Sequence, residues 1–173
     1  MLNFKWALRW YAVALVVIVL DLWSKSIISA NFAHEGDSQY ITSFFSLSLH
    51  FNHGAAFSFL SDAGGWQRWL FTVIAGGVSL GLGYWLAKLD KSRWIEALAL
   101  SMVLGGALGN LYDRITLGYV VDFLLFHWKA NYFPAFNLAD AAICGGAGLL
   151  LLDAMTSKKG PEANKISEAE HSD

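Results

Sequence analysis

Charge is scarce in this chain. Only 15% of its 173 residues are Asp, Glu, Lys or Arg while 55% are apolar, a balance that points to lipid rather than water as the solvent. Eight Trp and twelve Phe present more large apolar surface than one small core can hide, and a bilayer accommodates the excess. Cysteine is nearly missing: with Cys144 alone, no intrachain disulfide, CxxC zinc site or dithiol redox pair can be built. No segment concentrates basic charge, and with the twelve Lys and Arg scattered and a net charge of −2, nothing marks a nucleic-acid partner. P-loop, dinucleotide and serine-nucleophile motifs are absent, as is any internal repeat.

What is abundant is the apolar run of membrane length. A bilayer core of about 30 Å needs about 20 mainly apolar residues per helix, and four windows fit, at residues 9–28, 69–87, 95–111 and 137–155. The expected fold is all-α in the membrane: a four-helix bundle forming one integral domain over residues 1–157, with a polar, disordered tail at 158–173. Lys and Arg are retained on the cytoplasmic side of short loops. Lys5 and Arg9 precede the first span, Lys88, Lys91 and Arg93 join the second to the third, and Lys158, Lys159 and Lys165 follow the fourth, so eight of the twelve cations place both termini and the middle loop inside. Residues 26–67 hold no Lys or Arg, and the second outer connection holds only Arg114 and Lys129. A cleaved secretory signal is the competing reading of the N-terminus. The length of its apolar stretch argues against this, as do Asp21 and Lys25, which lie one helical turn apart where they can pair.

The first outer loop is long for a bare connector. Its segment Phe45 to Asn52 alternates apolar and polar residues with strand period, so a small β-sheet is expected there, resting on the membrane surface. The second outer loop carries Tyr119 to Trp128, apolar but too short to span, and is expected to lie at the interface or pack on the bundle. Small residues at four-residue spacing, Gly77 and Gly81, Gly105 and Gly109, and Gly145, Gly146 and Gly148, are expected to mark close helix contacts.

Polar side chains at membrane depth are costly, so each is a candidate for function until a partner explains it. Five places qualify: Asp21 with Lys25, Asn52, Asn110 to Arg114, Asp122, and Asn137 to Asp140. All fall at the outer ends of spans or in outer loops, where they can share one site. Asn110 and Arg114, four apart, and Asn137 and Asp140, three apart, each project from one helix face. Asp122 stands among Val120, Val121, Phe123 and Leu124, where desolvation raises a carboxyl pKa. If Asp140 lies nearby, the two acids share one proton, the arrangement that activates water against a peptide carbonyl and protonates the leaving nitrogen without metal or covalent intermediate. Structural readings compete: Asp21 as a partner of Lys25, Asn137 as a helix cap with Asp140 as a first-turn acid, and Arg114 snorkelling or paired with Asp113. Cys144 is one turn from Asp140 but has no nearby histidine in sequence, so it reads as a packing residue. His50 and His53 point to opposite faces of a strand, poor geometry for zinc. A small ion- or proton-coupled transporter is the alternative function, and a non-catalytic scaffold a second. The middles of spans two, three and four are almost wholly apolar, which argues against a continuous ion path.

The blocks DLWSK at Asp21–Lys25, NHGAAF at Asn52–Phe57, GNLYDR at Gly109–Arg114, VDF at Val121–Phe123 and FNLAD at Phe136–Asp140 resemble those of bacterial lipoprotein signal peptidases, also called signal peptidase II. Leu22 departs from that pattern, where a polar residue is expected. The resemblance implies an aspartic endopeptidase of the bacterial inner membrane that works near the periplasmic face, acts as a monomer and needs no cofactor. It cuts diacylglyceryl-modified prolipoproteins just before the lipidated cysteine. It also implies Asp122 and Asp140 as the catalytic pair, Asn52, Gly54, Asn110, Arg114 and Asn137 as residues that bind substrate or support the site, Asp21 as a supporting residue, and globomycin as an inhibitor. The substrate suits the layout: a signal peptide arrives as an apolar helix whose lipid anchor holds the scissile bond at headgroup level, and the first loop, with Phe57 and Phe59, is expected to clamp over it.

Overall fold

Long apolar segments with few breakers become long helices, and the computed structural model describes residues 4–54 and 66–157 as four of them with a small sheet. The helices are α1 (Phe4–Asn31), α2 (Trp66–Lys88), α3 (Trp94–Thr116) and α4 (Leu138–Ser157). All four are long and apolar enough to cross a membrane. At about 1.5 Å per residue, the 28 residues of α1 extend well past the hydrocarbon, and its last turns reach the sheet. Phe57, Phe59 and the tail from residue 158 lie outside the described residues.

Helix α3 is the axis of the bundle, packing on α1, α2 and α4. Its glycines explain the close fit. A Cβ added at Gly105 would come within 2.7 Å of the Ala14 carbonyl of α1, one at Gly109 within 2.6 Å of Asp21, and one at Gly106 would collide with the Ala139 carbonyl of α4. Gly146 returns the contact from α4, within 2.6 Å of the Ala99 carbonyl. The small-residue expectation fails on α2, where Gly77 and Gly81 meet nothing within 4 Å, and at Gly148. The four-residue spacing allows a close contact but does not require a neighbouring helix on that face. Leu8, Leu15, Val73, Leu80, Leu151 and Leu152 are exposed, the outward belt that lipid solvates. Cys144 is exposed too, not buried between helices as a packing residue would be.

At one end of the bundle lies an antiparallel sheet in the order β1-β2-β3-β4, with β1 at Ser38–Tyr40, β2 at Phe45–Asn52, β3 at Val120–Trp128 and β4 at Asn131–Tyr132. Strand β2 is the alternating segment expected from sequence. Strand β3 is the second-loop segment that the sequence suggested was interfacial or packed on the bundle. Its β-branched and aromatic residues pair with β2, Phe45 opposite Phe126 and His50 opposite Asp122, with an irregularity between Leu47 and His50. Val120, Val121, Asp122 and Phe123 are all buried, and a strand covered on both faces loses the alternation by which strands are read. Ile28 from α1 packs with Leu49, Val121 and Phe123, anchoring the sheet to the bundle. Between α3 and β3 the chain turns at Gly118, φ +90°, whose N–H donates to the Asp113 carbonyl; a residue just past the helix in this left-handed conformation favours glycine.

Candidate active site

The site grows from a cation. Lys25 is buried on α1, its ammonium 2.7 Å from Asp21 and 2.9 Å from Asp113 of α3, and it donates a third contact, 2.9 Å, to Asn110 Oδ1. Asp21 also accepts the Ala139 N–H of α4 at 2.9 Å, satisfying a first-turn donor that has no partner within its own helix. Asp113 accepts the Val121 N–H at 3.2 Å. One ammonium and two carboxylates thereby tie α1, α3, α4 and the start of β3 together.

From this base the amides carry order upward. With Asn110 Oδ1 occupied by Lys25, its Nδ2 is turned toward Asp140 Oδ1, to which it donates at 2.7 Å. Asn137, fully buried, donates its Nδ2 to Asp122 Oδ1 at 2.7 Å and to Asn110 Oδ1 at 3.1 Å. Its Oδ1 accepts the Asp140 N–H at 2.9 Å, and its own N–H points to Asp140 Oδ2 at 3.3 Å, the reciprocal pattern of a capping box with Asp in the acidic place. The cap reading and the site reading of Asn137 are therefore both realised: one side chain starts α4 and contacts both Asp122 and the residue bearing the second carboxylate. On the other side, Asn52 Nδ2 donates to Asp122 Oδ2 at 3.0 Å. Asn52 is itself fixed by the Gly54 N–H, 2.9 Å from its Oδ1. Gly54 has φ +91°, and a Cβ there would press within 2.6 Å of the Phe71 ring, so the position suits glycine twice over.

Asp122 is 3% exposed. Desolvation, and then the neighbouring Asp140 charge, push its carboxyl up to about 6, against the two amide N–H groups that favour its ionised form. Asp140 is half-buried, at the N-terminus of α4, where the helix dipole favours an anion. The two acids, 18 positions apart in sequence, thus face one another through Asn137 with different solvation. A cleft of about 590 Å³ opens beside Asp122 and Asn52.

Arg114 does not pair with Asp113, which Lys25 has taken. Its guanidinium lies 5.6 Å from the Phe71 ring centroid, and its charge is felt by Asp140 and Asp122. Asp21, Asn52, Gly54, Asn110, Asn137, Asp122 and Asp140 converge at this end, with Arg114 beside them. Sequence reasoning underrated Lys25 and Asp113. Their signal was present, charges at membrane depth, but the local pairs Asp21–Lys25 and Asp113–Arg114 each seemed already complete. It also missed Arg68, which donates to the carbonyls of Arg114 and Ile115 at 2.7 and 2.6 Å and so closes the last turn of α3. Among the described residues no three His, Cys, Asp or Glu gather to hold a metal. His50 is engaged with Ser48, its Nε2 2.9 Å from that hydroxyl.

Comparison with known proteins supplies an independent line. The family model described as signal peptidase (SPase) II matches residues 13–156. The chain is 55% identical over 159 residues to a lipoprotein signal peptidase of Teredinibacter turnerae, covering 91% of this chain and 94% of that one. It is 53% identical over 157 residues to one of Pseudomonas aeruginosa, covering 90% and 93%. Among solved structures, a bacterial membrane enzyme determined by the in meso method at 2.3 Å superposes with a TM-score of 0.77 at 30% identity, covering 89% of this chain and 92% of that chain.

Proposed function

Since this chain belongs to the signal peptidase II family, we propose that it removes the signal peptide from prolipoproteins, with Asp122 and Asp140 as an aspartic pair at the outer end of the bundle. The observation that carries the catalytic assignment is the bridge of Asn137 between Asp122 Oδ1 and the Asp140 backbone N–H, which holds two acids from separate elements in one geometry. Asp122, its carboxyl raised to about 6, is the protonated partner and Asp140 the carboxylate. Asp140 takes a proton from a water molecule, the resulting hydroxide attacks the scissile carbonyl, and Asp122 protonates the carbonyl oxygen. When the tetrahedral adduct collapses, the proton on Asp140 goes to the leaving nitrogen, the C–N bond breaks, and a hydroxyl of the adduct returns its proton to Asp122 as the new carbonyl forms, so both acids regain their starting states. Asn52, Asn110 and Asn137 orient the pair, and Arg114 adds positive potential where negative charge develops.

The orientation follows from the eight cations at the other end of the spans and in the tail. It puts the sheet and the pair at the periplasmic face of the inner membrane, with both termini cytoplasmic. The substrate is a prolipoprotein carrying diacylglyceryl on its cysteine, cut just before that residue; globomycin competes for the same cleft, and one chain suffices.

Purified protein in lipid should cut a diacylglyceryl-modified prolipoprotein at the bond preceding the lipidated cysteine and leave the unmodified precursor intact; product mass decides, and cutting elsewhere refutes the assignment. The pH profile of kcat/KM should have an alkaline limb near pH 6, because activity needs the proton that Asp122 then loses. Asn52→Ala removes an N–H that favours the ionised form, so its limb should move to higher pH. A limb that stays in place, or moves down, would take Asp122 out of the role of acid.

A further inference from the structure

Beyond Asp122, the cleft continues along one face of the sheet as a trough with a polar floor. Ser46, Ser48 and His50 of β2 lie along it, and Tyr40, Tyr132 and Phe133 stand at its far end. Ser48 and His50 are mutually satisfied, Ser48 Oγ lying 2.7 Å from Ser38 Oγ and 2.9 Å from His50 Nε2. Ser46 is not: it is 1% exposed, lines the trough, and its hydroxyl has no hydrogen-bond partner among the described residues. A buried hydroxyl without a partner is uncommon enough to require a reason.

We propose that this trough binds the polypeptide on the C-terminal side of the scissile bond, as an extended strand of small polar residues whose backbone satisfies Ser46. The proposal rests on the peptidase reading above and adds to it where the product chain lies. A hydrocarbon occupant fits the floor poorly, since an acyl chain returns no hydrogen bond to the unpartnered Ser46 hydroxyl. The signal peptide is an apolar helix and belongs with the lipid-facing spans. An extended peptide carries a donor and an acceptor on nearly every residue, and the short side chains of Ser46 and Ser48 let its backbone approach. From Asn52 to Ser46 is six steps along β2, about 20 Å at about 3.3 Å per residue, enough for roughly six extended residues. The trough begins at Asp122, so it receives the residues that follow the cut bond.

The test uses two diacylglyceryl-modified peptides with the same signal segment: one ends in an amide one residue after the lipidated cysteine, the other continues for seven Ser, Gly and Asn residues. With the native protein the long peptide should have a kcat/KM about tenfold higher, expressed mainly in KM. That ratio should fall toward one in Ser46→Val, and by about threefold in Ser46→Ala, which removes only the hydroxyl and leaves the packing intact. A photoreactive residue five positions after the bond should label the strand ends bearing Tyr40 and Tyr132. Equal kcat/KM for the two peptides, an undiminished ratio in both Ser46 variants, or labelling confined to the helices would overturn the trough assignment and leave the peptidase reading in place. Failure of the native protein to cut either peptide would overturn the peptidase reading itself.

Discussion

Asp122→Asn and Asp140→Asn should each slow prolipoprotein cleavage by about 10²–10⁴-fold, the contribution expected of one positioned acid or base. An amide at position 140 cannot take a proton from water, and an amide at position 122 is a far weaker acid than a carboxyl. The two changes should not add: once either partner is gone the shared proton has no function, so the double variant should be about as slow as the slower single one. The fold should survive at a modest cost. Each oxygen of Asp122 accepts an N–H, from Asn137 and from Asn52, and an amide at position 122 offers a donor where one of those oxygens was, a mismatch of about 1–3 kcal/mol. Thermal melts in detergent separate that loss from the catalytic one, and rates are then read on folded protein. Cleavage retained near the native rate in both variants would remove the pair from the chemistry.

The second large effect is one of stability and comes from a residue that touches neither Asp122 nor Asp140. In Lys25→Met, the carboxylates of Asp21 and Asp113, both nearly inaccessible, lose their only ion-pair partner among the described residues. Removing one member of a buried ion cluster costs about 3–5 kcal/mol, because the charge left behind is uncompensated. The melting temperature should drop sharply, and Asn110, released from its contact with Lys25, should no longer present its N–H steadily to Asp140. Replacing the whole cluster, Lys25→Met with Asp21→Asn and Asp113→Asn, should recover most of the lost stability and little of the lost activity. If Lys25→Met melts like the native protein, the cluster does not hold the bundle end together.

The spans were legible because membrane length and hydrophobicity are local properties, and all four helices lie over the expected windows, the first three longer at both ends. Strand β2 was legible through its alternation. Strand β3 was not, since burial on both faces erased the period that identifies a strand. The convergence of Asp21, Asn52, Asn110, Asp122, Asn137 and Asp140 at one end followed from topology alone. What topology could not supply was the wiring. Lys25 was assigned to Asp21 because four-residue spacing makes that contact visible, whereas its bonds to Asp113 and Asn110 cross between helices and leave no trace in sequence spacing. The lipid-facing glycines of α2 misled for the converse reason, since a spacing rule records what a surface permits and not which neighbour is there.

Asn137 opens α4 and contacts both halves of the proposed pair, which couples chemistry to the timing of biogenesis. Until the last span has been threaded into the bilayer and docked on α3, Asp140 has no seat and Asp122 lacks its closest partner. On the proposed reading, a chain whose fourth span is not yet docked lacks the Asn137 bridge and a seated Asp140, and cleavage waits for that last step.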